Sequence, residues 1–352
     1  MNRFREFFRT QLAKPLTAVG LALIIGALLL WLAGYDVPKA YFALANAAFF
    51  DYHYVADGLL KTTPLILLGA GVAFAFKANV FNIGAEGQMY IGALAATWFA
   101  TRLDWPGFAL LPLIILAGAI GGGLWAALPG YLKARLGVSE VITTIMMNYI
   151  AIELTGLLLS GPLQELDRVY PRSDPILAGA RLPFILPGTR LHLGFLLAIL
   201  LAVGLSYLLL RTVFGYEARA VGLSPTAART SGVNVQATIL KTMLVSGGLA
   251  GIAGAVELSG VTHQMFKHFS AGQGYDAIAV ALVAGNSPIG VIFSGWLFGV
   301  MRAGSNLMQR SAGVSWSFVY VFQALVVVFI AISGHLKVRE WLAALKGGMA
   351  RG

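Results

Sequence analysis

Cysteine is absent from this chain of 352 residues, so disulfide bonds, thiolate catalysis and cysteine-ligated metals are excluded. Charged side chains are also scarce, at 11% of the residues compared with about 25% in an average soluble domain. Hydrophobic residues make up 58% of the chain. This balance indicates an all-α integral membrane protein, a polytopic helical bundle that crosses the bilayer several times.

Motifs for common catalytic centres are missing too. No G-x-x-x-x-G-K-[ST] segment occurs, which excludes a P-loop for ATP phosphates in this chain. Neither H-E-x-x-H nor G-x-S-x-G occurs. The histidines form no i,i+4 pair on an apolar span; they are His53, His192, His263, His268 and His335. We therefore expect no catalytic residue, no metal site and no cofactor in this chain.

The net charge of +10 raises the possibility of a nucleic-acid partner. Its distribution argues against one, because the basic residues flank apolar runs as the positive-inside rule expects. Fifteen basic and three acidic residues fall on the side that we predict to be cytoplasmic, against ten basic and seven acidic residues outside. This asymmetry places both termini in the cytoplasm and indicates membrane lipid, not nucleic acid, as the surroundings of the chain.

Apolar runs predict about ten transmembrane passes in a single domain, residues 16–333, between basic cytoplasmic segments at residues 1–15 and 334–352. The third, eighth and ninth runs are shorter than the ~20 residues of a full crossing, so we expect broken or re-entrant helices. A polar, proline-rich outside loop, residues 161–190, is too long and too charged to be buried. The runs are residues 16–32, 59–76, 89–99, 106–131, 138–159, 191–210, 237–258, 275–284, 289–301 and 316–332.

A polar and glycine-rich stretch, residues 76–92, interrupts two apolar runs with the sequence FKANVFNIGAEGQMYIG. Irregular backbone at membrane depth must be buried in protein or line a wet cavity. An ionisable residue there is a functional hypothesis by default. We therefore predict that Asn82, Glu86 and Gln88 line a substrate pathway. The alternative is that Asn82 caps the following helix and that Glu86 stabilises its first turn.

Two further spans carry polar groups of the same kind. Asn148 ends a stripe that also contains Glu140, Thr143 and Thr144, and this stripe faces either a pathway or a neighbouring helix. Asp276 begins a short span that Asn286-Ser287-Pro288 interrupts, and discontinuous helices place polar groups at midplane depth in transporters. We add Asn148, Asp276 and Asn286 to the predicted pathway, although Asp276 equally fits a first-turn acid. Some aromatic side chains have the shape to stack a planar base or to anchor span ends, namely Phe76, Phe81, Tyr90 and Trp98.

A second polar segment, residues 211–236, lies on the predicted cytoplasmic side and contains GYEARAVGLSPTAARTSGVN. Its pattern predicts two short helices, the first ending at Gly222 and the second starting at Ser224-Pro225, where serine at the cap and proline at the first position form a start signal. Two such helices on the membrane surface suit a docking element for a cytosolic partner. The alternative is a solvated surface loop.

Three of these blocks also resemble a known family. FNIGAEGQ at residues 81–88 resembles the signature of ABC-importer permeases of the nucleoside and simple-sugar uptake group. EARAVG at residues 217–222, with residues 227–232, is similar to the permease segment that inserts a coupling helix into the ATPase subunit, although it departs from the longer EAA consensus. A weaker block runs over residues 274–290. The GAEGQ form looks more like the longer subunit of the nucleoside group than like ribose or branched-chain amino-acid permeases.

The resemblance implies one permease subunit of an ABC importer in the bacterial plasma membrane. Its implied partners are a second, shorter permease, a cytosolic ATPase that binds ATP and Mg²⁺, and an extracytoplasmic substrate-binding protein or lipoprotein. The implied substrate is a nucleoside, a riboflavin-like compound or a simple sugar. The matching positions predicted to contact the ATPase are Glu217, Ala218, Arg219, Ala220, Gly222, Arg229 and Gly232.

A stand-alone secondary transporter or facilitator is the alternative from another class. Such a protein needs buried residues for ion coupling, and the acids within the spans are candidates for that role: Glu86, Glu140, Glu153 and Glu257. A structured cytoplasmic segment, by contrast, is not required in a self-sufficient carrier. The mixed charges of the outside loop suit a rim contact with a binding protein or simple solvation.

Overall fold

The computed structural model describes residues 13–315 and 317–333. Those residues contain no strand, only two isolated bridges, and the predicted all-α class is confirmed. The predicted basic segment at residues 334–352 lies outside the described residues, as do residues 1–12 of the one predicted at residues 1–15. The α-helices are α1 (Ala13–Leu32), α2 (Val37–Ala45), α3 (Tyr52–Lys77), α4 (Ala85–Ala100), α5 (Gly107–Tyr131), α6 (Glu140–Leu159), α7 (Gly194–Arg211), α8 (Val213–Leu223), α9 (Pro225–Thr230), α10 (Val235–Glu257), α11 (Gln273–Val283), α12 (Gly290–Ala312) and α13 (Phe318–Ser333).

Five helices in the described part of the chain are long and apolar enough to cross a membrane: α3, α5, α6, α7 and α10. Single π-helical turns, Leu132–Leu136 and Leu258–Thr262, lengthen α5 and α10. The predicted number of about ten passes therefore stays a prediction. As expected, α11 is short, with 11 residues.

The ninth predicted span is wrong in its length. The apolar run at residues 289–301 indicated a short span, but α12 has 23 residues and continues to Ala312. Polar side chains beginning at Arg302 end the run of hydrophobic residues without ending the helix. Hydropathy alone misses such a continuation, because backbone hydrogen bonding tolerates polar side chains.

The chain forms two compact units. In the unit formed by residues 46–303, helix α10 lies at the centre and packs against α3, α4 and α5. Glycines form the contact between these helices. A side-chain carbon at Gly251 of α10 would collide with the Gly118 carbonyl of α5, and one at Gly92 of α4 would collide with Gly251. Small residues let helix backbones approach in a membrane, and this contact depends on them.

The other unit comprises residues 1–45 and 304–352, of which residues 13–45, 304–315 and 317–333 are described. In this unit α1 packs against α13. Gly26 leaves space for the ring of Phe322, which also lies 6.0 Å from the ring of Tyr41. Tyr35 and Phe318 form an edge-to-face pair at 6.4 Å. Aromatic packing against a small residue thus holds the unit together.

Most residues of the predicted outside loop, residues 161–190, are exposed, as its length and charge led us to expect, but a few are buried. Ser173 donates its backbone N–H to the Met265 carbonyl at 2.8 Å, and its hydroxyl accepts from the Met265 N–H at 3.0 Å. Leu182 donates to the Ser259 carbonyl at 3.0 Å. The Arg172 guanidinium pairs with buried Glu165 and holds the pKa of that carboxyl below its usual range. These few positions can be buried because their backbone groups and the Glu165 carboxylate have partners.

Two histidines lie where this loop meets the end of α10. His192 is buried against Gly260, and its Nδ1 accepts from the Gly194 N–H at 3.2 Å. Burial, with a smaller contribution from nearby His263, lowers the pKa of His192 to about 4. Burial also lowers the pKa of His263. Burial thus disfavours the charged form of both imidazoles where the loop meets the end of α10.

Candidate functional site

The predicted polar stretch is a break between α3 and α4. Asn82 and Gln88 form a reciprocal amide pair. Asn82 Nδ2 donates to Gln88 Oε1, and Gln88 Nε2 donates to Asn82 Oδ1, both at 2.9 Å. Asn82 also accepts from the Gly84 N–H at 3.0 Å and donates to the Ser246 hydroxyl of α10 at 2.8 Å. Both amide side chains are buried. The pair fixes the turn before α4 and attaches it to the central helix.

Glu86 joins the start of α4 to the start of α11. Its carboxylate accepts a hydrogen bond from the Gly274 N–H at 2.7 Å, and the Ser270 side chain provides a further hydrogen bond. The cap position of α11 is Gly272, in the left-handed region, which has no side chain to satisfy the first amides. Buried Glu86 therefore acts as the N-cap of a short helix that lies 188 residues further along the chain.

Asn148 of α6 connects the same elements from the other side. Its Oδ1 accepts from the Gly87 N–H at 2.8 Å, and its Nδ2 donates to the Ile83 carbonyl at 2.9 Å. Nδ2 also lies 3.4 Å from the Tyr275 hydroxyl of α11. Asn148 is fully buried, so its stripe on α6 faces the neighbouring helices within this chain. One amide thus holds the break, α4 and α11 together.

Asp276 lies one turn into α11 and pairs with Arg302 of α12 at 2.9 Å. Arg302 also donates to the Ala271 carbonyl at 2.9 Å, just before α11. The structure therefore brings five of the six predicted pathway residues into connected contacts around the starts of α4 and α11. Asn286 is the exception: it follows the opposite end of α11, and its Oδ1 has no hydrogen-bond partner among residues 13–315 and 317–333.

Sequence reasoning missed three residues of this arrangement. Ser246 gives no signal in the sequence, because a serine in a glycine-rich apolar helix is unremarkable. Arg302 does give one, since it is an ionisable residue that directly follows an apolar run. Glu140 was considered as part of the α6 stripe and as an ion-coupling acid but not as part of the break; it pairs with Lys133 at 2.8 Å and accepts from the Phe81 N–H at 3.3 Å. It thereby holds the middle of the break in place.

The segment between α7 and α10, which we predicted to be cytoplasmic, folds into the two predicted short helices. Thr212 caps α8, and the Ser224 hydroxyl caps α9 by accepting from the Ala227 N–H at 3.3 Å. Gly222 does not end the first helix as predicted: α8 continues to Leu223, and Gly222 contacts the Lys77 carbonyl so closely that no side chain fits. This contact ties α8 to the end of α3, next to the break.

The residues implied for ATPase contact differ in exposure. Ala218 is buried, and half-buried Ala220 packs on a small core of Val221, Ala228 and Val235. Half-buried Arg219 donates to the Gly215 carbonyl at 3.3 Å, and Glu217 is also half-buried. Arg229 and Gly232 are exposed. The most exposed apolar side chain at this corner is Leu223, at 89%, which sequence reasoning did not single out.

Residues 54–331 match the family model described as branched-chain amino acid transport system / permease component. The chain belongs to this permease family. The matched region contains the break, the short helices α8 and α9, and the contacts described around α11. The family membership implied by the sequence blocks at residues 81–88 and 217–222 is therefore confirmed.

Named relatives cover nearly the whole permease. It is 40% identical over 329 residues to the guanosine ABC transporter permease protein NupP of Bacillus subtilis, covering 92% of this chain and 94% of that protein. It is 33% identical to the nucleoside ABC transporter permease protein NupB of Lactococcus lactis, covering 92% of each. It is also 33% identical to the glucose ABC transporter permease protein TsgB13 of Haloferax volcanii, covering 92% and 88%. The permease is therefore similar throughout to subunits of ABC transporters.

A second permease protein from each of two organisms also matches this chain: the guanosine permease NupQ of Bacillus subtilis and the nucleoside permease NupC of Lactococcus lactis.

The aromatic residues that the sequence suggested for stacking have partners within the permease. Arg102 lies 3.8 Å over the Trp98 ring, Phe76 and Phe81 contact each other at 5.2 Å, and Tyr90 contacts Phe269 at 4.8 Å. No cluster of three His, Asp or Glu side chains able to hold a metal occurs in the described part of the permease.

Proposed function

We propose that this permease is one of two membrane subunits of an ABC importer that brings nucleosides into the cell. The observation that carries the proposal is the 40% identity, over nearly the whole chain, to a protein named as a guanosine permease. The nucleoside relative supports the same substrate class, whereas the glucose relative makes a simple sugar the competing class. ATP and Mg²⁺ would bind to a separate cytosolic ATPase, and this chain would bind no cofactor of its own.

The second membrane subunit is proposed from the paired relatives. The two organisms whose permeases are named for guanosine or nucleosides each have a second matching permease. A heterodimer is the simplest reason for two related subunits to accompany each other. The complex would reside in the plasma membrane, with about ten passes over residues 16–333 in this subunit and both termini in the cytoplasm. An extracytoplasmic binding protein would dock on the outside loop.

The pathway residues are proposed to act through the starts of α4 and α11. Asn82, Gln88 and Asn148 are buried and hydrogen-bonded, so they hold the two helix starts in one geometry. Glu86 and Asp276 attach α11 to α4 and α12 respectively. Polar contacts hold the start of α11, whereas Ala277, Val280 and Ala281 are buried further along the helix. A movement of this helix during alternating access would exchange the polar contacts at its start. Asn286 follows the C-terminal end of α11, so it would lie at the end of the moving helix that is far from Glu86.

The proposed contact with the ATPase is the corner between α8 and α9. Leu223 is an exposed apolar side chain between two capped helices, and exposed Arg229 lies on the second of them. An apolar anchor inserted into a pocket of a partner carries much of the energy of a typical interface. Close contact of Gly222 with the end of α3 gives this corner a direct connection to the break.

Leu223→Asp is expected to lower the affinity for the ATPase at least about tenfold, because a carboxylate replaces the apolar anchor in a desolvated contact. The matched control is Leu136→Asp. Leu136 is 67% exposed and lies between α5 and α6, in another segment on the predicted cytoplasmic side. Co-purification of the ATPase and ATP-driven uptake should fall in the first variant and not in the second. Equal behaviour of the two variants would contradict a specific contact at Leu223.

A further inference from the structure

One face of α6 is exposed along the whole helix, opposite the buried Asn148. The positions recur at spacings of three and four residues, so they lie above one another on the same side. They are Ile142, Met146, Tyr149, Glu153 and Leu157. Two of these five residues have polar ends, which lipid hydrocarbon does not accommodate. The face therefore needs an occupant other than lipid.

Tyr149 lies at an unusual depth for an exposed tyrosine. It is the tenth of the 20 residues of α6, which places it near the middle of a helix about 30 Å long. Its side chain is 64% exposed. Tyrosines that face lipid concentrate at the two membrane interfaces, where the hydroxyl reaches water. An exposed hydroxyl at mid-membrane depth indicates water or a polar ligand in front of it.

A charged pair one turn further out supports the same conclusion. Glu153 accepts a hydrogen bond from Lys267 at 3.0 Å, and its side chain is 69% exposed. The aliphatic part of Lys267 runs across Gly156, where an added side-chain carbon would meet its Cδ at 3.1 Å. An ion pair exposed on a membrane helix is costly against hydrocarbon. The outer half of this face is therefore hydrated.

A second aromatic ring with exposed surface lies beside α6. Tyr275 of α11 is 41% exposed, and its hydroxyl is held by the Asn148 amide, the residue next to Tyr149. Of the aromatic residues named from the sequence, Phe81 and Trp98 also keep exposed surface, but each contacts another side chain, Phe76 and Arg102 respectively.

We infer that Tyr149 and Tyr275 form an aromatic platform on which the planar base of a nucleoside stacks as it crosses the membrane. Stacking suits a transporter of several nucleosides, because every base has a π-face and the contact tolerates different ring substituents. The inference rests on the proposed nucleoside function and names the residues that would recognise the base. It also links recognition to movement, since Tyr275 belongs to the short helix that Glu86 caps.

The test measures guanosine uptake by the complete complex with Tyr149→Leu, Tyr149→Phe and Tyr207→Leu. We expect Tyr149→Leu to raise the KM for uptake about tenfold, the order of one lost stacking contact, whereas Tyr149→Phe keeps the ring and stays within about twofold. Tyr207→Leu is the matched control: Tyr207 is 66% exposed on α7, four residues from its cytoplasmic end. It should leave uptake unchanged. Tyr275→Leu should raise KM in the same direction as Tyr149→Leu.

Two results would overturn the inference while leaving the proposed function intact. If Tyr149→Leu behaves like Tyr207→Leu, the face meets lipid or bulk water. If Tyr149→Leu instead loses the second permease on purification, the face is a subunit interface. A wild-type complex that transports glucose but no nucleoside would overturn the substrate class and the platform with it. A tenfold rise in KM with normal assembly, restored in Tyr149→Phe, supports the platform.

Discussion

Glu86→Ala is expected to lower substrate uptake at least about tenfold while the protein still inserts in the membrane. The variant leaves the Gly274 N–H without its acceptor, and a buried unsatisfied amide costs about 1–3 kcal/mol. The cost falls on the start of α11, whose cap glycine cannot replace the lost carboxylate. Glu86→Gln keeps an acceptor but loses the charge that the helix N-terminus favours, so we expect an intermediate loss.

The same contact can be broken from the other side. A side-chain carbon at Gly274 would collide with the backbone of Glu86, so Gly274→Ala should reproduce the loss of uptake. Two variants that remove one contact are not additive, and the double variant should be little worse than either single one. Membrane abundance and assembly with the second permease are measured alongside. Losses that multiply, or uptake that merely follows abundance, would show that Glu86 serves only the stability of the helix start.

Gly251→Leu is expected to prevent folding of the unit formed by residues 46–303. Any side-chain carbon at this position collides with the Gly118 carbonyl and lies 3.0 Å from the Gly122 α-carbon. Neither group is the movable end of a side chain, so α10 would have to separate from α5. Overpacking against side chains costs about 1–3 kcal/mol, and displacing a helix backbone should cost more. We expect almost no folded protein in detergent extracts.

The control for this prediction lies one turn away on the same helix. At Gly248 an added side-chain carbon would meet only the Ala119 carbonyl, at an ordinary distance of 3.5 Å. Gly248→Ala should therefore retain the yield and the thermal unfolding temperature of the wild type, whereas Gly251→Ala should already lower both. Equal stability of the two alanine variants would mean that close approach at Gly251 is not what holds α10 to α5.

Local features of this fold could be predicted from the sequence. The break at residues 78–84 follows from polar and glycine residues between apolar runs, and Ser224-Pro225 marks the start of α9. The capping interpretation of the break holds in part, and the pathway interpretation stays a prediction. Asn82 does accept from a neighbouring backbone amide, as a capping residue would, and Glu86 does lie in the first turn of α4. The contacts that Asn82 and Glu86 make with distant helices, however, are not apparent from the sequence.

Long-range partners could not be predicted, because they depend on how the helices pack. Asn82 bonds to Ser246, which lies 164 residues away, and Glu86 bonds to Gly274. No pattern within either segment encodes these pairs. The length of α12 was missed for a related reason, since Arg302 ends an apolar run but finds Asp276 as a partner and remains helical. The exposure of individual side chains could not be predicted either. Tyr149 becomes notable only when its position in the middle of α6 and its exposed surface are known.

The central claim is that this permease works only with a separate ATPase, and guanosine uptake into proteoliposomes tests it most directly. The vesicles contain both permeases with or without the ATPase, with ATP on the cytoplasmic side and the binding protein on the other. We predict uptake that requires ATP and a hydrolysis-competent ATPase and that continues when the proton gradient is dissipated. Uptake that persists without the ATPase and collapses with the proton gradient would contradict the account and identify a stand-alone secondary transporter.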